Sequence, residues 1–382
     1  YIAYFVMAIP SGILLKKVGF KRGIMYGFML TALGAFLFVP AALVRQFEIF
    51  LIGLFSIGTG LAILQTAANP YVTIIGPIES AARRISIMGI CNKFAGIISP
   101  LIFAALILKA DDSELFSLIE SGTLDAITKS AMLDELIQRV IVPYAILGGL
   151  LVLAGIGIRY SILPEINTDE QNATDEKENG HNSKKSIFDF PYLILGALAI
   201  FFHVGTQVIA IDTIINYANS MGIDLLEAKV FPSYTLACTM IGYVLGILII
   251  PKYVSQTKAL IICTILGLLL SFGVVFADFN VTLFGHQANI SIFLLCALGF
   301  PNALIYAGIW PLSIHGLGKF TKTGSSLLIM GLCGNAILPL IYGYFAEVYD
   351  LRIGYWILIP CFLYLIFFAT KGHKINSWKR NY

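Results

Sequence analysis

Charge is what this sequence has least of. Asp, Glu, Lys and Arg together make up 12% of its 382 residues, where soluble domains carry nearer a quarter. That scarcity excludes a water-soluble fold. With 58% hydrophobic residues and a mean hydropathy of +0.85, the solvent has to be the bilayer. A basic stripe is also lacking, and the net charge is only +3, so nucleic acid is excluded as a partner. The six cysteines lie in apolar runs without C-x-x-C spacing and are expected to be buried free thiols. No phosphate-binding Gly-Lys-Ser/Thr loop, Ser/His/Asp set or metal-ligand cluster is found. The chain is therefore read as a non-enzyme with no metal, no cofactor and no ATP drive. It carries no signal peptide and opens mid-helix at Tyr1 without an initiator Met, which points to a preceding segment.

What is present is a series of long apolar runs. Residues 1–15 read as a shortened helix, and further spans follow at 24–44, 47–75, 84–108 and 140–162. Residues 109–138 form an acidic extramembrane loop with amphipathic spacing, and 164–190 are polar enough to read as a linker. Six more runs start near Tyr192, Lys229, Lys258, Ile290, Thr323 and Ile353. About eleven spans result, on a criterion of about 20 residues each. Basic turns at 16–22, 83–84, 252–258 and 319–322, with the basic tail, fall on one side. The acidic loop, Asp224, Glu227, Glu347 and Asp350 fall on the other. The basic side, holding linker and C-terminus, is expected to be cytoplasmic. Residues 12–34 resemble 246–269, and 88–102 resemble 330–341, so two parallel halves are expected, with a binding site between them. The expected domains are 1–162, the linker 163–190, and 191–382.

Polar residues inside apolar spans are costly and mark candidate sites. Gln65, Asn69 and Thr73 fall at i, i+4, i+8, one helical stripe, and Asn69-Pro70 is expected to break the helix. Asn92 shares a face with Gly89, Gly96 and Ser99, and Lys93 points about 100° away. Asp212 is the acidic residue read as well inside a span, and so the natural partner for Lys93. His203 and Gln207 share a face of the same helix, with His203 placed toward its cytoplasmic end and Gly205 as a possible bend. Asn302, Tyr306, Trp310 and Ser313 step by four, four and three. Asn335 is a lesser candidate. Amides that both donate and accept, beside aromatic rings, suit an uncharged ring of hydroxyls.

These residues carry a likeness. The sequence resembles the fucose/galactose/glucose permeases of the major facilitator superfamily. The likeness is most specific at Gln65-Thr66-Ala67-Ala68-Asn69-Pro70-Tyr71 with Gly76-Pro77, and continues at Asn92, at Val204-Gly205 with Gln207, and at Gly324-Ser325-Ser326. It covers nearly the whole chain, from within helix 2 onward. The resemblance implies an all-α integral membrane protein of two six-helix halves, here without the first helix. It implies cation-coupled (H⁺ or Na⁺) hexose symport by alternating access, as a monomer in the cytoplasmic (inner) membrane. Gln65, Asn69, Asn92, Gln207, Asn302, Tyr306 and Trp310 become substrate-binding candidates, and Lys93, Asp212 and His203 coupling or gating candidates. Gln65 stands where the fucose permease keeps a proton-coupling glutamate, and a glutamine cannot titrate. A sugar sensor and a drug/proton exporter are the alternative functions.

Overall fold

The computed structural model describes residues 2–107, 128, 134, 137–166 and 186–378. Most of the expected acidic loop, the linker core 167–185, and Lys379 and Arg380 lie outside the described residues. The architecture is helical: α1 Ile2–Val18, α2 Phe20–Val44, α3 Phe47–Ile74, α4 Ala81–Ile107 and α5 Ile141–Tyr160 come first. Then follow α6 Pro191–Asp212, α7 Ile214–Ser220, α8 Phe231–Ile249 and α9 Gln256–Phe276. A hairpin, β1 Asn280–Leu283 and β2 His286–Asn289, separates these from α10 Ile290–Ala297 and α11 Gly299–Ile314. The last elements are α12 Thr321–Met330, α13 Gly334–Val348 and α14 Leu358–Thr370. Nine helical stretches among the described residues are long and apolar enough to cross a membrane, and one of them, Ala3–Val44, joins α1 to α2. The turn inside it is set by Gly19, whose φ of 82 suits a residue without a Cβ at a helix end.

The residues cluster into two compact units. The smaller comprises Phe20–Leu64 and Phe94–Glu165. Here α2 and α3 meet backbone to backbone: a Cβ on Gly34 would stand 2.7 Å from the Gly53 carbonyl oxygen, and one on Gly60 2.7 Å from that of Gly27. Small residues are what allow such approach in lipid, where close packing drives helix association. Phe38 stacks on Tyr144 of α5 at 4.4 Å. The Glu165 carboxylate accepts from the backbone N–H of Phe20 at 2.6 Å and of Lys21 at 3.2 Å. It thereby caps donors that the first turn of α2 leaves unsatisfied.

The larger unit comprises Tyr1–Gly19, Gln65–Lys93 and Ile166–Tyr382. Its core includes the fully buried Trp310, Tyr217, Tyr355, Phe362 and Phe368. At one end α1 rests on α12, where Gly12 leaves room for the Ser326 hydroxyl. Lys16, Lys319, Phe320 and Lys322 line a cavity of about 280 Å³ there. The Gln256 side chain accepts from the Ala82 N–H at 3.3 Å. The hairpin end is held by carboxylates: Asp278 pairs with Arg352 at 3.0 Å and accepts from Asn289 at 2.8 Å. Asp350 caps the next helical turn through the N–H groups of Arg352 and Ile353.

Five local expectations are corrected. Asn69-Pro70 does not break α3, which continues through Pro70 to Ile74; a proline so near the helix end removes only one late hydrogen bond. The break near Gly205 is instead at Thr213, between α6 and α7. Gly205 serves packing, since a Cβ there would stand 2.2 Å from Leu338 Cδ1. Asp212 is accordingly the last residue of α6 and exposed, and His203 lies near the middle of that helix. Among the cysteines, all free, Cys91 is exposed.

Candidate functional site

Helical spacing brings the first pair together. Gln65 and Asn69 lie one turn apart on α3, and Asn69 Nδ2 donates to Gln65 Oε1 at 3.2 Å. The same amide nitrogen donates to the Tyr306 hydroxyl of α11 at 3.0 Å. Asn69 is 3% exposed, so both of its amide hydrogens are used on protein partners away from water. Thr73, third in the stripe, returns its hydroxyl to the Asn69 carbonyl at 2.8 Å and is satisfied within its own helix. Ser313 does the same with Ile309.

From Tyr306 the cluster spreads. Its ring meets Trp310 edge-on at 6.0 Å and the His203 imidazole at 6.2 Å. Trp310, His203 and Asn302 are 0%, 0% and 1% exposed. Yet Trp310 Nε1, Asn302 Oδ1 and both ring nitrogens of His203 make no hydrogen bond among the described residues. The indole N–H lies near the Tyr306 hydroxyl without the geometry of a bond. An unpaired buried polar atom costs about 1–3 kcal/mol, so four in one neighbourhood call for a reason.

Lys93 lies midway along α4, half-buried, and its charge reaches both Asp212 and His203. Lys93 and Asp212 attract each other but form no ion pair within 4.0 Å among the described residues. Gln207 is half-buried one turn beyond His203, and Asn92 is exposed beside Lys93. Asn335 Oδ1 on α13 is another buried atom without a partner.

The sequence reading did not single out Tyr4, Tyr243 or, as a structural group, Arg84. Tyr4 and Tyr243 both interact with the Tyr306 phenol, and Tyr243 also covers Gly89, where a Cβ would stand 2.5 Å from the ring. A tyrosine well inside an apolar span was the available signal for Tyr243. Arg84 was counted only as a topology charge. Its guanidinium instead caps the end of α3, donating to the carbonyls of Val72 at 2.8 Å, Thr73 at 2.6 Å, Gly76 at 3.2 Å and Pro77 at 3.0 Å. A further bond reaches Ser80 Oγ at 2.6 Å. This holds the last turns of α3 against the first turn of α4, the two helices that carry Asn69 and Lys93.

Chemically, the cluster offers neutral amides, a phenol, an indole N–H and an imidazole, with one cation beside them. Such groups match the hydrogen-bonding needs of an uncharged ligand rich in hydroxyls, each of which both donates and accepts. The aromatic faces suit the C–H side of a sugar ring.

Comparison with known proteins agrees with this architecture. The family profile described as Major Facilitator Superfamily matches residues 1–333. A glucose/galactose transporter of Brucella abortus biovar 1 (strain 9-941) is 31% identical over 377 residues, 97% of this chain and 83% of the relative. The L-fucose-proton symporter of Escherichia coli (strain K12) is 31% identical over 374 residues, 97% of this chain and 82% of the relative. Among solved structures, the transporter FucP in the outward conformation superposes with a TM-score of 0.81 at 27% identity, covering 99% of this chain and 88% of that one. The chain belongs to the Major Facilitator Superfamily, as a multi-pass membrane transporter of the family that includes the fucose and glucose/galactose transporters.

Proposed function

We propose that the protein is a secondary active importer of a hexose such as glucose, galactose or N-acetylglucosamine, driven by a proton or sodium gradient. The observation that carries this reading is the part-buried Gln65–Asn69–Tyr306 hydrogen-bond chain next to unpartnered atoms on Asn302 and Trp310. The bonded chain pre-orients one wall, and the open donor and acceptor on α11 are left for ligand hydroxyls. The activities of the fucose and glucose/galactose relatives support a sugar substrate. A lipophilic drug would gain nothing from so many amides, which disfavours an exporter.

In this reading Gln65, Asn69, Asn302, Tyr306 and Trp310 contact the sugar, with Asn92 and Gln207 joining when the site closes. Lys93 and Asp212 are the charges whose separation changes between states. The halves 1–162 and 191–382 rock about the site as a monomer in the inner membrane, with linker and C-terminus on the cytoplasmic side. Counterflow tests the proposal. Proteoliposomes preloaded with an unlabelled hexose should draw in the labelled sugar against its own concentration. Absence of exchange with every hexose tried would reduce the protein to a sensor or an exporter.

A further inference from the structure

Among the polar groups of the cluster, His203 is the one with two ring nitrogens that both lack a hydrogen-bond partner among the described residues. The imidazole is 0% exposed, and neither Nδ1 nor Nε2 has a hydrogen-bond partner. Its ring neighbour is Tyr306 at 6.2 Å, whose hydroxyl already accepts from Asn69. A histidine that only serves structure in an apolar interior has a carbonyl, hydroxyl or carboxylate on at least one nitrogen.

The charges around it define what can finish it. From α4 comes Lys93, whose positive charge reaches His203. From α11 comes the neutral phenol of Tyr306, with Tyr243 of α8 next to that phenol. On α6 itself the ionisable neighbour is Asp212, exposed at the helix end and attracted to Lys93. Of the other helices packed on α6, α12 carries Lys322 in its first turn, α13 carries Glu347 near its end, and the Tyr364 hydroxyl of α14 donates to the Leu195 carbonyl. None of these is a carboxylate seen to bond the imidazole.

A neutral imidazole needs one acceptor and one donor, whereas an imidazolium needs two acceptors. Without a ligand, the protonated ring would face the Lys93 charge with neither nitrogen bonded to an acceptor among the described residues. A hexose in the cluster adds hydroxyl oxygens that accept the second N–H and lie between the two cations. We propose, resting on the hexose-transport reading, that His203 is a proton-binding group of the transport cycle and that the bound sugar completes its hydrogen bonding. The proton comes from water on the open side and adds to a ring-nitrogen lone pair. It returns to water when the site opens on the other side and the sugar leaves. Sugar and proton then raise each other's affinity by the same factor, as linkage requires. The step needs no titratable group at Gln65.

The test is equilibrium binding of D-glucose, D-galactose, N-acetyl-D-glucosamine and L-fucose to the purified full chain across about pH 5 to 8, the window in which histidine titrates. For whichever sugar binds, wild-type affinity should rise as pH falls, approaching about tenfold per pH unit for one linked proton. H203Q should lose one linked proton from that slope. An H203Q protein with the wild-type slope would overturn the assignment. Should H203Q not fold, ¹⁵N-histidine spectra of the wild type decide. Sugar added near neutral pH must convert one imidazole to the imidazolium form, and no conversion refutes the proposal. If no sugar binds at any pH, the hexose reading falls and this inference with it. Counterflow that proceeds without any pH dependence removes only the inference.

Discussion

Arg84 and His203 are both expensive residues for a membrane protein, and the structure treats them in opposite ways. Arg84 donates five hydrogen bonds within one turn-and-cap arrangement. His203 makes none through its ring nitrogens, though it is the more deeply buried of the two. The difference separates two uses of polarity in an apolar protein. A polar group that holds structure is satisfied by the chain itself. A group left open at measurable cost is one whose partner arrives from outside.

The contrast predicts opposite consequences of substitution, and R84M is the severest way to break it. Removing a cation that binds four carbonyls forfeits several charge-assisted hydrogen bonds, on the order of 2–4 kcal/mol. A clear fall in melting temperature of the detergent-purified protein would show it, with R84K recovering only part because an ammonium cannot match the planar fork. H203Q should by contrast leave the melting temperature nearly unchanged, since no bond is lost. A comparable fall in both variants would erase the distinction.

The proposed sugar-facing wall gives the next effect. N69A removes the donor to both Gln65 and Tyr306. Hexose affinity should fall by about tenfold or more, in line with one or two hydrogen bonds of about 1.5 kcal/mol. W310F, which keeps a ring but removes the unpartnered N–H, should lose affinity without losing stability. Stability lost in W310F with affinity unchanged would make the indole a core residue only.

The smallest effect lies at the hairpin. Hydrogen bonds from Asn289 and Arg352, with the Arg352 charge, hold the exposed Asp278 carboxyl below the usual carboxylate range. A depressed carboxyl contributes its stability above the unfolded-state pKa and loses it as pH falls through the folded-state value. Hydrogen exchange in the hairpin should therefore quicken slightly in D278N at neutral pH, with the difference from wild type vanishing in acid. A difference that grew in acid would reverse the sign and place the hold elsewhere.

The spans and the first polar stripe were legible in the sequence because their signals are local. Apolar length marks a membrane helix, and spacing by four places Asn69 over Gln65 before any coordinates exist. Tyr306 was legible for the same reason, as part of a narrow face on one helix. What was not legible depends on contacts between helices or on where a helix stops. The break at Thr213 carries no proline or glycine, so Asp212 was read as inside a span that in fact ends with it. Arg84 looked like one more basic turn residue because its acceptors are backbone carbonyls, which every sequence has. Tyr4 and Tyr243 join the cluster through tertiary packing alone. The openness of His203 was invisible for a similar reason, since a missing partner has no sequence signature.

The central claim is that the unpartnered atoms around Tyr306 are the contacts a hexose makes. The structure of the full chain with a bound hexose tests it directly. Asn302 Oδ1, Trp310 Nε1 and a ring nitrogen of His203 should each lie within about 2.7–3.2 Å of a sugar oxygen. A hexose bound elsewhere, with those atoms still unpaired, would contradict the account.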